Sequence, residues 1–79
     1  MVLANFLKTQ MNLAIEALDR YPKEERDISA LTLTLSPEAF KAAQEEIRAL
    51  QRKLLALTDL YPKPDTVYQA NFQLFPLSR

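Results

Sequence analysis

Between positions 2 and 21 apolar residues fall at Leu3, Phe6, Leu7, Met11, Ala14, Leu18 and Tyr21. Spacings of three and four are those of an amphipathic helix. Leu13, Ile15 and Ala17 widen the apolar arc, so this helix is expected to touch two neighbours. Pro22 biases Tyr21 away from helical backbone and sets the boundary. A helix over 1–21 is predicted, then a polar connector at 23–27, read as a solvated loop or one extra helical turn. From Ile28 the pattern changes period: Leu31, Leu33 and Leu35 alternate with Thr32 and Thr34. That predicts a strand over 28–35 with one buried face.

Ser36-Pro37-Glu38 is the strongest local signal in the chain. Serine accepts from the free N–H groups of a following helix, and proline at the first helical position loses nothing. Glu38 places negative charge at the positive end of the helix dipole. Leu35 and Phe40 occupy the two positions of a hydrophobic staple. The predicted helix, 37–61, carries Phe40, Ala43, Ile47, Leu50, Leu54, Leu57 and Tyr61. Their 3-4-3-4-3-4 spacing is a heptad seam. Either this seam packs within the chain's own fold or it pairs with a copy in a second chain; Leu55, Ala56 and Leu60 add a second apolar flank that favours the first. Pro62 and Pro64 end the helix. A second strand is predicted at 67–75, with Tyr68, Ala70, Phe72 and Leu74 on one face and Gln69, Asn71 and Gln73 on the other.

The pattern predicts an α+β fold ordered helix, strand, helix, strand, a small sheet covered by two helices. A strand–helix–strand unit makes the strands parallel with a right-handed crossover. Two strands alone are marginal, so the sheet is expected to be completed by dimerisation or by upstream sequence. Size points the same way. Seventy-nine residues make one small domain, in which burial and conformational entropy nearly cancel. The absence of cysteine and histidine removes disulfides and the commonest metal ligands. Oligomerisation, or docking on a longer chain, is the remaining stabiliser. The absence of glycine is unusual, since ordinary usage is about 7%. It suggests the C-terminal fragment of a longer protein, and it leaves the turns to proline and aspartate.

Ten basic residues balance ten acidic ones, with no basic patch of the kind nucleic-acid modules carry. No apolar run approaches the roughly 20 residues of a membrane span. A cytoplasmic chain without direct nucleic-acid or membrane contact is expected. Candidate chemistry is thin. Glu24/Glu25 and Glu45/Glu46 are sequence neighbours, which do not face each other on a helix. Ser29, Ser36, Thr32 and Thr34 have no histidine partner and no glycine-rich elbow. No catalytic, metal or cofactor site is expected. The polar positions Thr32, Thr34, Gln69, Asn71 and Gln73 are candidates for a ligand or interface face of the sheet. Phe40, Ile47, Leu50, Leu54, Leu57 and Phe75 are the candidate apolar interface. The end Leu74-Phe75-Pro76-Leu77 is too apolar for a free tail and is expected to dock.

Two segments resemble blocks of a bacterial family: Tyr21-Pro22-Lys23-Glu24-Glu25-Arg26-Asp27-Ile28-Ser29 and Val67-Tyr68-Gln69-Ala70-Asn71-Phe72-Gln73-Leu74-Phe75-Pro76-Leu77. The family is the C-terminal domain of unknown function of the Fibrobacter paralogous family of helix-turn-helix transcriptional regulators. The resemblance spans essentially the whole chain. It implies a regulator whose DNA-binding region lies upstream, and it brings no catalytic residue or ligand. Glu25, Arg26, Asp27, Tyr68, Gln69, Asn71, Phe72 and Phe75 match its pattern, and Arg26 is a candidate for a structural ion pair. The expected function is thus a non-catalytic regulatory domain for dimerisation or effector sensing. The alternative is an adaptor that docks a partner helix through the seam from Phe40 to Tyr61.

Overall fold

The computed structural model describes residues 2–78. Two α-helices carry the fold: α1, Val2–Arg20, and α2, Pro37–Leu60, with a short 3₁₀ turn at Lys23–Glu25 between them. Both predicted helices form within a residue or two of their expected limits; Met1, included in the first, lies outside the described residues. The connector takes the extra-turn form.

The strands do not form. Among the described residues neither 28–35 nor 67–75 is a strand and there is no sheet, so the domain is all-α and not α+β. With the sheet go the covering role of the two helices, the parallel crossover and the completion of the sheet across a dimer. The physical reason lies in what alternation measures. A period of two shows that a chain is extended and has two unlike faces. A strand also needs a neighbouring edge to receive its N–H and C=O groups, and here no backbone ladder joins these segments.

The helix ends follow local chemistry. Ser36 is in extended conformation, its hydroxyl accepts from the Ala39 N–H at 3.1 Å, and Pro37 takes the first helical position. The Ser36 carbonyl accepts the first intrahelical bond from Phe40 at 2.9 Å. Ser36→Ala is expected to cost about 1 kcal/mol, a drop of roughly 5 °C in melting temperature for a domain this size. Thermal melting followed by circular dichroism reads it, and an unchanged midpoint would show the cap contributes nothing. At its far end α2 closes with the Tyr61 N–H donating to the Leu57 carbonyl. Between Pro62 and Pro64 the chain turns through Lys63 at φ 74°. In the left-handed region a residue with a Cβ costs about 1–2 kcal/mol relative to helical backbone, the consequence of turning without glycine.

The chain divides into two compact units. The first comprises the chain through Thr32 together with Gln69–Asn71; the second comprises Leu33–Tyr68 and the segment from Phe72 onward. In the first, Gln10, Ala14 and Ala17 form a half-buried row along α1. The Asn71 side-chain amide donates to the Gln10 carbonyl at 2.9 Å, and its oxygen accepts from Gln69 at 3.2 Å. The Arg26 guanidinium donates through Nε to the Tyr21 carbonyl at 2.9 Å. It thereby satisfies an acceptor just past the end of α1, a common task for a basic side chain there. In the second unit Ala39, Ala43, Ile47 and Gln51, spaced by four, form the half-buried row of α2, and Phe72 and Leu74 are half-buried as well.

Candidate functional site

None of the described residues is buried. For a chain with 48% apolar residues this is the dominant structural fact, because burial of apolar side chains is the main force that holds a domain together. On α2 the seam stands open. Phe40, Leu50, Leu54 and Leu57 keep 37–46% of their surface, Tyr61 keeps 74%, and Ile47 is half-buried. Of the end Leu74-Phe75-Pro76-Leu77 that was expected to dock, Leu74 is half-buried, while Phe75 and Leu77 keep 62% and 78% of their surface.

The seam is unbroken because nothing in α2 interrupts it. Between Pro37 and Leu60 the helix has no further proline, and alanine, leucine, glutamate, glutamine, lysine and arginine dominate it, all strong helix formers. Over 24 residues the helix runs about 36 Å. A shallow open depression of about 330 Å³ lies beside the seam, lined by Glu46, Ile47, Ala49, Leu50 and Lys53.

The sheet face expected to carry the polar candidates does not form among the described residues. Thr32, Thr34, Gln69 and Gln73 are all exposed. Thr32, Gln69 and Asn71 belong to the first unit, Thr34 and Gln73 to the second. Asn71 spends both ends of its amide inside the protein, on Gln10 and Gln69. It anchors the chain to α1. No local pattern points to that partner, which lies 61 positions away. Arg26 donates to the Tyr21 carbonyl just beyond the end of α1.

Among the described residues no group of histidine, cysteine, aspartate or glutamate is placed to hold a metal ion. No helix there is long and apolar enough to cross a membrane. Glu24, Glu25, Glu45 and Glu46 are exposed.

No curated protein and no solved structure matches the chain. The family model of the domain of unknown function DUF4423 matches residues 1–77, nearly the whole length. The chain belongs to that family.

Proposed function

We propose that this domain is a non-catalytic assembly module of a bacterial transcriptional regulator, and that it works by pairing two copies of the chain through α2. The observation that carries the reading is the open heptad seam in a domain without a single buried described residue. A seam of this type is satisfied by a second helix. The regulatory setting is supported by the resemblance of segments 21–29 and 67–77 to the C-terminal blocks of helix-turn-helix regulators. On this reading DNA contact belongs to an upstream region, the protein works in the cytoplasm, and the domain sets the spacing of two DNA-reading heads.

Effector sensing is the weaker form of the proposal, because the sheet face suggested for it does not form among the described residues and Asn71 is engaged internally. The adaptor reading uses the same seam with a foreign helix in it. Solution mass separates these. Sedimentation across a concentration series, with circular dichroism alongside, is expected to show twice the 9.1 kDa of the chain. On dilution, mass and helical signal fall together. A folded, non-associating particle of single-chain mass would end the pairing proposal and leave the adaptor.

A further inference from the structure

The charges that border the α2 seam specify how two copies lie against each other. With Phe40, Ile47, Leu54 and Tyr61 in one register position of the heptad and Ala43, Leu50 and Leu57 in the other, two flanking rows are defined. One contains Ala39, Glu46, Lys53 and Leu60; the other contains Gln44, Gln51 and Thr58. Flanking positions set orientation and partner choice in paired helices.

In a parallel pair each flanking row meets the opposite row. Glu46 then faces the partner's Gln51 and Lys53 faces the partner's Thr58, and neither charge finds its complement. When one helix is turned end for end, each row meets its own copy. Glu46 then faces the partner's Lys53, and by symmetry Lys53 faces the partner's Glu46. Gln44 lies against the partner's Gln51, two amides able to hydrogen-bond each other. Sliding this arrangement by one heptad brings Lys53 against the partner's Lys53, or Glu46 against the partner's Glu46, so like charges reject the neighbouring registers.

The core layers agree with the charges. The antiparallel register stacks Phe40 on the partner's Leu57, Ala43 on Leu54 of the partner subunit, and Ile47 on the partner's Leu50. Ala43, the small residue of the seam, thereby meets a large side chain of the partner, which fills space more evenly. A parallel pair instead sets Ala43 on its own copy and leaves a gap there, while crowding Phe40 against Phe40. The depression on α2 lies along this same flank, bounded by Glu46, Lys53, Ile47 and Leu50. Glu46 and Lys53 are exposed and open to a partner.

We infer that two copies of this chain pair through α2 in antiparallel orientation, centred between Ile47 and Leu50 and locked by reciprocal Glu46–Lys53 contacts. The inference rests on the pairing reading above and adds its geometry. Charge reversal tests it in the full chain. Glu46→Lys alone places lysine against lysine twice, and Lys53→Glu alone places glutamate against glutamate twice. Each is expected to weaken self-association roughly tenfold at low ionic strength, with the effect fading in high salt. The double variant, and an equimolar mixture of the two single variants, should recover wild-type affinity. Circular dichroism confirms that the helices persist.

Cross-linking gives an independent readout, since the native chain has no cysteine. Mixing A43C with L54C should yield a disulfide-linked pair under mild oxidation, and neither variant should link to itself. Self-linking of A43C, or indifference of a persistent dimer to both charge reversals, overturns the antiparallel register while leaving pairing intact. A wild-type chain that stays folded at single-chain mass overturns pairing itself.

Discussion

With glutamate at both Leu50 and Leu54, the chain is expected to lose self-association altogether at micromolar concentration. Both side chains lie in the middle of α2 with 46% and 38% of their surface uncovered, surface that the proposed pairing would bury. Completing the burial of a leucine that is half covered contributes about 1–1.5 kcal/mol. Each is present twice in a pair, so removal of the four gives up about 4–6 kcal/mol. That alone is a thousandfold or more in affinity. The carboxylates add to it, because a charge placed in a closing apolar seam must be desolvated or kept from closing. Helix propensity barely changes between leucine and glutamate, so α2 can still form where the rest of the chain supports it. Sedimentation should report single-chain mass over the whole accessible range, with a smaller helical signal than the paired wild type. A double variant that still pairs with wild-type affinity would show that the α2 seam is not the interface. Leu55→Glu is the matched control: Leu55 is 72% exposed and off the seam, and its replacement is expected to change association little.

How far the sequence foretold this structure depends on what each pattern encodes. The helices were legible because their determinants are local. Three- and four-residue spacing, the Ser36 cap, proline at the first position of α2 and proline after each helix all act within a turn of themselves. The seam was legible for the same reason, and its residues stand on α2 where the spacing put them. The strands at 28–35 and 67–75 failed because a strand is a relation between segments. Leu31, Leu33 and Leu35 do alternate with Thr32 and Thr34, and the backbone there is not helical, but nothing pairs with it. The polar face failed with the sheet that was to carry it. Asn71 was noticed for its chemistry and misplaced in its role, since its partner, the Gln10 carbonyl, is set by chain folding over 61 positions. Arg26 shows the same thing at short range: a cation among acidic neighbours invites an ion pair, yet a carbonyl just beyond a helix end is the acceptor it finds.

The same distinction fixes what Asn71 and Phe72 do, and mutation of this block should read as lost stability. These adjacent positions serve different units of the fold, Asn71 the unit of α1 and Phe72 the unit of α2. Asn71→Ala removes a part-buried hydrogen bond to the Gln10 carbonyl, expected to cost about 1 kcal/mol. The loss stays modest because a mid-helix carbonyl keeps its own intrahelical partner. Phe72→Ala removes a half-buried ring. Complete burial makes such a truncation cost about 3–5 kcal/mol, so about 2 kcal/mol is expected here. For a domain of this size those losses correspond to roughly 5 °C and 10 °C in melting temperature. Gln73→Ala should stay within about 0.5 kcal/mol of wild type, because Gln73 is exposed and surface changes away from special features have little effect. Calorimetry on the three variants, each at equal chain concentration so that pairing is held constant, gives the ranking. Phe72 above Asn71 above Gln73 means each of the first two residues stabilises its own unit. A Gln73→Ala variant as destabilised as Phe72→Ala, or an Asn71→Ala variant with an unchanged midpoint, would mean the block is held by contacts other than these.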